Sequence, residues 1–170
     1  PFVAKGATAV ENGAQVARLA SVICVMVQNE SQVRSVLEGP DGILATAAPG
    51  TVVAVHSTIS AEAAVDLAEL AASAQVDLVD APVSGGAMGA HEGTLAVMVG
   101  GSDEAVARCE RVFEHFAGMV AHMGPIGSGV HTKIARNLIT FASFAVVGEA
   151  QRLAEAAGLD DWLRSLPALY

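Results

Sequence analysis

The feature that most limits how this chain can fold is an alternation. Short β-branched apolar runs are separated by segments of helical character. Val22-Ile-Cys-Val-Met-Val27 is the first run, Thr51-Val-Val-Ala-Val-His-Ser57 the second and Val76-Asp-Leu-Val79 the third. Short apolar runs of this kind belong to strands covered on both faces. Between them lie helix signals. Ser31 precedes Gln32–Leu37, which ends near Gly39-Pro40, and Ser60 precedes an Ala-rich segment, with Glu62 near its start, that reaches about Ala74. A serine oxygen in that position accepts one of the orphan N–H groups of a first helical turn. Strand–helix–strand units with short links predict a doubly wound α/β fold built on a parallel sheet.

The later part of the chain changes rhythm. Leu95–Val99 reads as a strand between Gly93 and Gly100-Gly101, and Ser102, Asp103 and Glu104 open a helix to about Phe116. Acids in a first turn suit the helix dipole. Val120–Met123 reads as a short strand. From Ser128 to Ala157 only Gly148 interrupts the helical composition, so one helix is expected there, far longer than the usual 11–12 residues. Gly158 can cap it, and Asp160 can start another short helix. A helix that long leads into a second domain or a partner subunit.

Charge removes whole classes of function. Nine basic residues against eighteen acidic ones give a net charge of −9, so no nucleic-acid or anionic-membrane partner is expected. The longest apolar stretches fall short of the roughly 18 residues a spanning helix needs. Cys24 and Cys109 stand in unrelated contexts and read as buried free thiols of a reducing, cytoplasmic compartment. His56, His91, His115, His122 and His131 lack metal-ligand spacing, and neither a nucleophile elbow nor a Walker loop occurs.

Three places can carry chemistry. Lys133 lies near the start of the long helix, with Asn137 four residues on and therefore on the same face. An amine and an amide side by side can act on one hydroxyl, provided burial or a nearby cation brings the amine toward neutrality. The plainer alternative is a solvated lysine. Ser84-Gly85-Gly86 follows a strand end, where ligands of open α/β sheets bind, and its glycines let backbone N–H groups approach an anion. An ordinary glycine turn is the alternative. Asn29 and Ser57-Thr58 also lie just past strand ends, where capping or turn chemistry is the competing reading.

The stretch Asp80-Ala-Pro-Val-Ser-Gly-Gly-Ala-Met-Gly-Ala-His-Glu-Gly-Thr-Leu-Ala-Val-Met-Val-Gly-Gly101 closely resembles the substrate-loop signature of the β-hydroxyacid dehydrogenases, the family of 3-hydroxyisobutyrate, tartronate-semialdehyde and 6-phosphogluconate dehydrogenases. Gly127-Ser-Gly-Val-His-Thr-Lys-Ile-Ala-Arg-Asn137 resembles its catalytic-helix motif. His56-Ser-Thr-Ile-Ser60 and Met26-Val-Gln-Asn29 are similar to its two segments near the cofactor.

The resemblance implies roles. Lys133 would be the general acid/base and Asn137 would hold the substrate oxygen. Ser84, Gly85 and Gly86 would bind the substrate carboxylate. Val27, Gln28, Asn29 and Thr58 would line the cofactor, NAD or NADP. The implied reaction is hydride transfer to or from a small 3-hydroxy acid or its semialdehyde, in a protein that is a homo-oligomer at full length. Some positions depart from the family. His56 replaces an acid, Gln28 a proline, and Arg136 stands where relatives often carry Asn or His. Thr140 occupies the place of the acidic proton donor of the 6-phosphogluconate branch, which argues against decarboxylation.

The resemblance also implies an organisation. Residues 1–125 would be a Rossmann-like NAD(P)-binding domain lacking its first βαβ part. Residues 126–158 would be a long interdomain helix, and residues 159–170 the start of a helical C-terminal domain. The 170-residue chain alone is then expected to bind NAD weakly and to be inactive. A non-catalytic dinucleotide-binding or interaction module derived from the family is the competing reading.

Overall fold

The computed structural model describes residues 3–159. The chain divides into two compact units, residues 1–133 and 134–170.

The first unit holds one six-stranded sheet: β1 (Val22–Val25), β2 (Val52–Val55), β3 (Asp77–Asp80), β4 (Val83–Ser84), β5 (Leu95–Gly100) and β6 (Ala117–Gly124). The order is β1-β2-β3-β5-β4, with β6 also paired to β5. The first three strands are parallel, and β5 is parallel to β6. Between them the direction reverses, because β5 runs antiparallel to both β3 and β4. The sheet is doubly wound as the sequence suggests, with an antiparallel step that no local signal in the sequence marks. The step arises because Val83 and Ser84, read as a strand end and the start of the glycine loop, form a strand of their own against Val97 and Ala96.

The helices of this unit are α1 (Gly13–Ala17), α2 (Glu30–Leu37), α3 (Ala61–Ser73), α4 (Gly86–Glu92) and α5 (Asp103–Phe113), followed by the start of α6 (Ser128–Ala156). The middle of the sheet is buried on both faces, and β2, buried along its whole length, shows why its sequence has no polar alternation. Val53 and Val55 join a core with Val33, Leu37, Leu67 and Val130, while Val52 and Ala54 join another with Val97, Val106, Cys109 and Phe113. Each valine so buried contributes about 1.5–3 kcal/mol. Four alanines of α3 (Ala61, Ala63, Ala64 and Ala71) are buried, and their small side chains let its backbone approach the sheet closely.

Two local expectations are corrected. The cap of α2 is Asn29, not Ser31: Asn29 Oδ1 accepts the N–H of Gln32 at 3.0 Å, so the helix starts one residue before Ser31. Cys109 is buried, but Cys24 is exposed. Ser60 and Ser102 cap α3 and α5 as the sequence suggests.

The second unit consists, among its described residues, of α6 beyond Lys133 and the turn that ends it. Leu138, Ile139, Phe141, Phe144 and Leu153 are exposed on it. Gly158, at φ +75°, closes the helix as anticipated. The Leu159 N–H reaches the Ala154 carbonyl and the Gly158 N–H that of Glu155, a Schellman pattern. The helix expected from Asp160 lies outside the described residues. No helix among them is long and apolar enough to cross a membrane.

Candidate active site

Parallel strands bring their carboxyl ends to one edge, and in β1, β2 and β3 the residues just past those ends are tied together by side chains. The Ser57 hydroxyl donates to the Val27 carbonyl and accepts the Val27 N–H, both at 2.8 Å, joining the end of β2 to that of β1. His56 is buried and its Nδ1–H donates to the Ala81 carbonyl at 2.7 Å, joining β2 to β3. Its ring lies edge-on to Phe113 and Phe116, with centroids 5.2 and 5.6 Å away. Burial pushes the His56 pKa below the ordinary histidine value, and the bond to Ala81 offsets part of that. The neutral imidazole is therefore the form that fits, and its buried Nε2 has no hydrogen-bond partner among the described residues.

Asp80 makes the third tie. Its side chain is fully buried at the end of β3. Oδ1 accepts the Gly127 N–H at 2.7 Å and Oδ2 the Val130 N–H at 2.6 Å. Burial raises the Asp80 pKa, while the N–H groups of Gly127, Val130, Gly129 and Asp80 itself pull it back. The segment that receives this carboxylate is the first turn of α6, where donors are unpaired by helix geometry.

The sequence candidates fall on this framework as follows. Ser84 is half-buried in β4. Gly85 and Gly86 follow at φ +132° and +64°, conformations that a side chain would strain, and both are exposed. Val27 is half-buried and lines an open cleft of about 350 Å³ with Asn12, Val25 and Met26. Gln28, Asn29 and Thr58 are exposed. Asn29 spends its side-chain oxygen on the α2 cap, and the Gln28 N–H donates to Gln32 Oε1 at 2.9 Å. Lys133 is half-buried, three residues beyond Val130 on α6. Asn137 is half-buried four residues further along the helix, in the second unit.

In the sequence, Asp80 reads only as the residue that closes a strand. One signal was available: an acid ends an otherwise apolar run, where an unpaired charge is costly to bury.

Residues 1–124 match the family model described as the NAD binding domain of 6-phosphogluconate dehydrogenase. The chain belongs to this family, the β-hydroxyacid dehydrogenases. An uncharacterized oxidoreductase of Mycobacterium tuberculosis is 49% identical over 160 residues, which are 94% of this chain and 54% of that protein. Among solved structures, a 3-hydroxyisobutyrate dehydrogenase of M. tuberculosis with L-serine is 35% identical at a TM-score of 0.80, over 87% of this chain and 50% of that one. Psf3 in complex with NADP+ and 2-OPP is 29% identical at a TM-score of 0.87, over 98% of this chain and 58% of that one. The chain thus spans about half the length of the curated relatives it matches.

Proposed function

We propose that this chain is the core of an NAD(P)-dependent 3-hydroxy acid dehydrogenase of the 3-hydroxyisobutyrate type. The observation that carries the reading is the junction at Asp80. Its backbone leads within four residues to Ser84-Gly85-Gly86, and its side chain grips the turn that leads to Lys133. One residue thus links the loop proposed for the substrate carboxylate to the helix proposed for the proton.

In this reading Ser84, Gly85 and Gly86 bind the carboxylate of the substrate. The Lys133 amine takes the proton of the 3-hydroxyl on oxidation and returns it on reduction, while the Asn137 amide fixes the oxygen. When bound, the nicotinamide supplies the hydride acceptor. Val27, Gln28, Asn29 and Thr58 flank its ribose side. The cleft beside Val27 and the backbone hold that Ser57 exerts on Val27 suit a flat ring laid against the sheet edge. G-x-G-x-x-G does not occur in these 170 residues, so the pyrophosphate-binding turn is not among them. The organisation proposed is the incomplete NAD(P)-binding domain at 1–125, the helix at 126–158 and a helical domain beginning at 159, in a cytoplasmic homo-oligomer.

The test is turnover. The longest native product of this reading frame is assayed with NAD+ and NADP+ against 3-hydroxyisobutyrate, L-serine and related 3-hydroxy acids, following nicotinamide absorbance. Oxidation of at least one of them is expected, with turnover lost in Lys133→Met while cofactor binding persists. Cofactor binding without turnover of any 3-hydroxy acid would favour the non-catalytic module. Near-native turnover in Lys133→Met would end the acid/base assignment.

A further inference from the structure

We propose that Asp80 is a positioning residue: its carboxylate, at the carboxyl end of β3, holds the first turn of α6 and so sets where Lys133 stands. The catalytic meaning of this placement rests on the role proposed above for Lys133; the anchoring itself does not.

An ordinary helix cap would not need such a residue. α3 and α5 satisfy their first turns locally, through Ser60 and Ser102, each accepting an N–H three residues ahead. A serine before α6 could satisfy a first-turn donor in the same way. Instead two donors at its start, Gly127 just before the helix and Val130 in its first turn, go to a fully buried carboxylate that lies 47 and 50 positions back in the chain. Local capping stabilises a helix wherever it sits, whereas a long-range buried acceptor also fixes its start against the sheet.

The surroundings are built for that approach. Asp80 pairs with Gly100 at the only register position shared by β3 and β5. A side chain on Gly100 would collide with Asp80 Oδ1 and stand 2.9 Å from the Gly129 nitrogen. One on Gly129 would collide with the Met98 carbonyl and stand 2.9 Å from Asp80 Oδ2. Glycine at both positions lets the helix start close directly over the carboxylate. Val130, fully buried, packs the same turn into the core that holds Val53 and Val55. The compact unit that contains Asp80 ends at Lys133, so the stretch of α6 that belongs with the sheet runs from the anchor to this lysine.

The experiment uses the 170-residue chain, which has only two lysines, Lys5 and Lys133. Reductive 13C-methylation then gives two lysine signals, assigned with Lys5→Arg. His131 and Arg136 flank Lys133 on α6 and are the same in every protein compared. Asp80→Asn puts an N–H donor against one of the two backbone donors. Exchange of the Gly127 or Val130 amide is expected to accelerate by at least about tenfold. The Lys133 methyl signal should move, because the turn that leads to it is no longer held by Asp80, while Lys5 stays still. A folded variant in which Lys133 is unchanged overturns the proposal. Should circular dichroism show the variant unfolded, acid titration of the native chain decides. Lys133 must then show an inflection at the pH where the Gly127 and Val130 amide protons shift, and Lys5 must not; absence of that inflection overturns the proposal. None of these readouts depends on turnover, so an active Lys133→Met enzyme would remove the catalytic role and leave the anchor intact.

Discussion

Ser57 and Val27, thirty positions apart, exchange two hydrogen bonds through one hydroxyl: the Val27 N–H donates to it and it donates to the Val27 carbonyl, both at 2.8 Å. The pattern imitates a ladder pair just beyond the point where β1 and β2 stop pairing. It satisfies both backbone groups of Val27 and fixes the direction in which Gln28 and Asn29 leave the sheet.

Removing that hydroxyl leaves a donor and an acceptor of a half-buried residue without their partner. Ser57→Ala is therefore expected to lower stability by about 2 kcal/mol, in the range for unsatisfied buried polar groups. Urea denaturation checks this, and an unchanged midpoint would show that water replaces the hydroxyl at no cost.

His56 gives stability a definite pH dependence. Its folded pKa is depressed by burial, below an unfolded value near 6.5. Above that value both states carry a neutral ring and the group contributes no slope. As pH falls through about 6.5, the unfolded chain takes up a proton that the folded chain refuses. Stability then drops by up to about 1.4 kcal/mol per pH unit until the folded pKa is reached. His56→Asn keeps a donor for the Ala81 carbonyl but cannot be protonated. Its urea midpoint is expected to fall less than that of the native chain between about pH 7 and 5. Parallel pH profiles for the two proteins would contradict the assignment.

The fold was legible wherever a segment's own chemistry decides its structure. The apolar runs at β1, β2 and β5 and the serine caps of α3 and α5 are local signals, and they appear where the sequence puts them. β4 was not legible, because two residues beside a double glycine become a strand only when β5 lies opposite them. The α2 cap was misread by two positions because Asn29, Glu30 and Ser31 offer competing oxygens, and the winning one is set by where the chain leaves β1. The site residues with family-like spacing could be named in advance. Asp80 could not be given its role, since its partners are 47 and 50 residues away.

The two thiols should separate cleanly. Burial pushes the Cys109 thiol up to about 12, and it is enclosed beside Phe113 and Val106. Cys24 is exposed on β1. Alkylation of the native chain is expected to modify Cys24 first, with Cys109 slower by more than about a hundredfold because its reaction requires opening of the fold. Denaturant should equalise the two rates. Comparable rates in the native chain, read by peptide mass spectrometry, would mean that α5 does not protect its cysteine.

Two glycines of the same helix should respond to alanine with opposite signs. At Gly129 the added methyl would overlap the Met98 carbonyl and press on the Asp80 carboxylate, so something in a fully buried junction must shift. Overpacking of that kind costs about 1–3 kcal/mol. At Gly148 nothing lies within 4 Å of the added carbon. That site is the interior of α6, where alanine is favoured over glycine by about 1 kcal/mol through backbone entropy. Gly129→Ala is thus expected to lower the denaturation midpoint and to loosen exchange protection at Gly127 and Val130. Gly148→Ala should raise the helical signal and leave those amides alone. A Gly129→Ala chain as stable as the native one would mean that α6 does not need to approach β5 so closely, and the reason given for glycine at that position would fall.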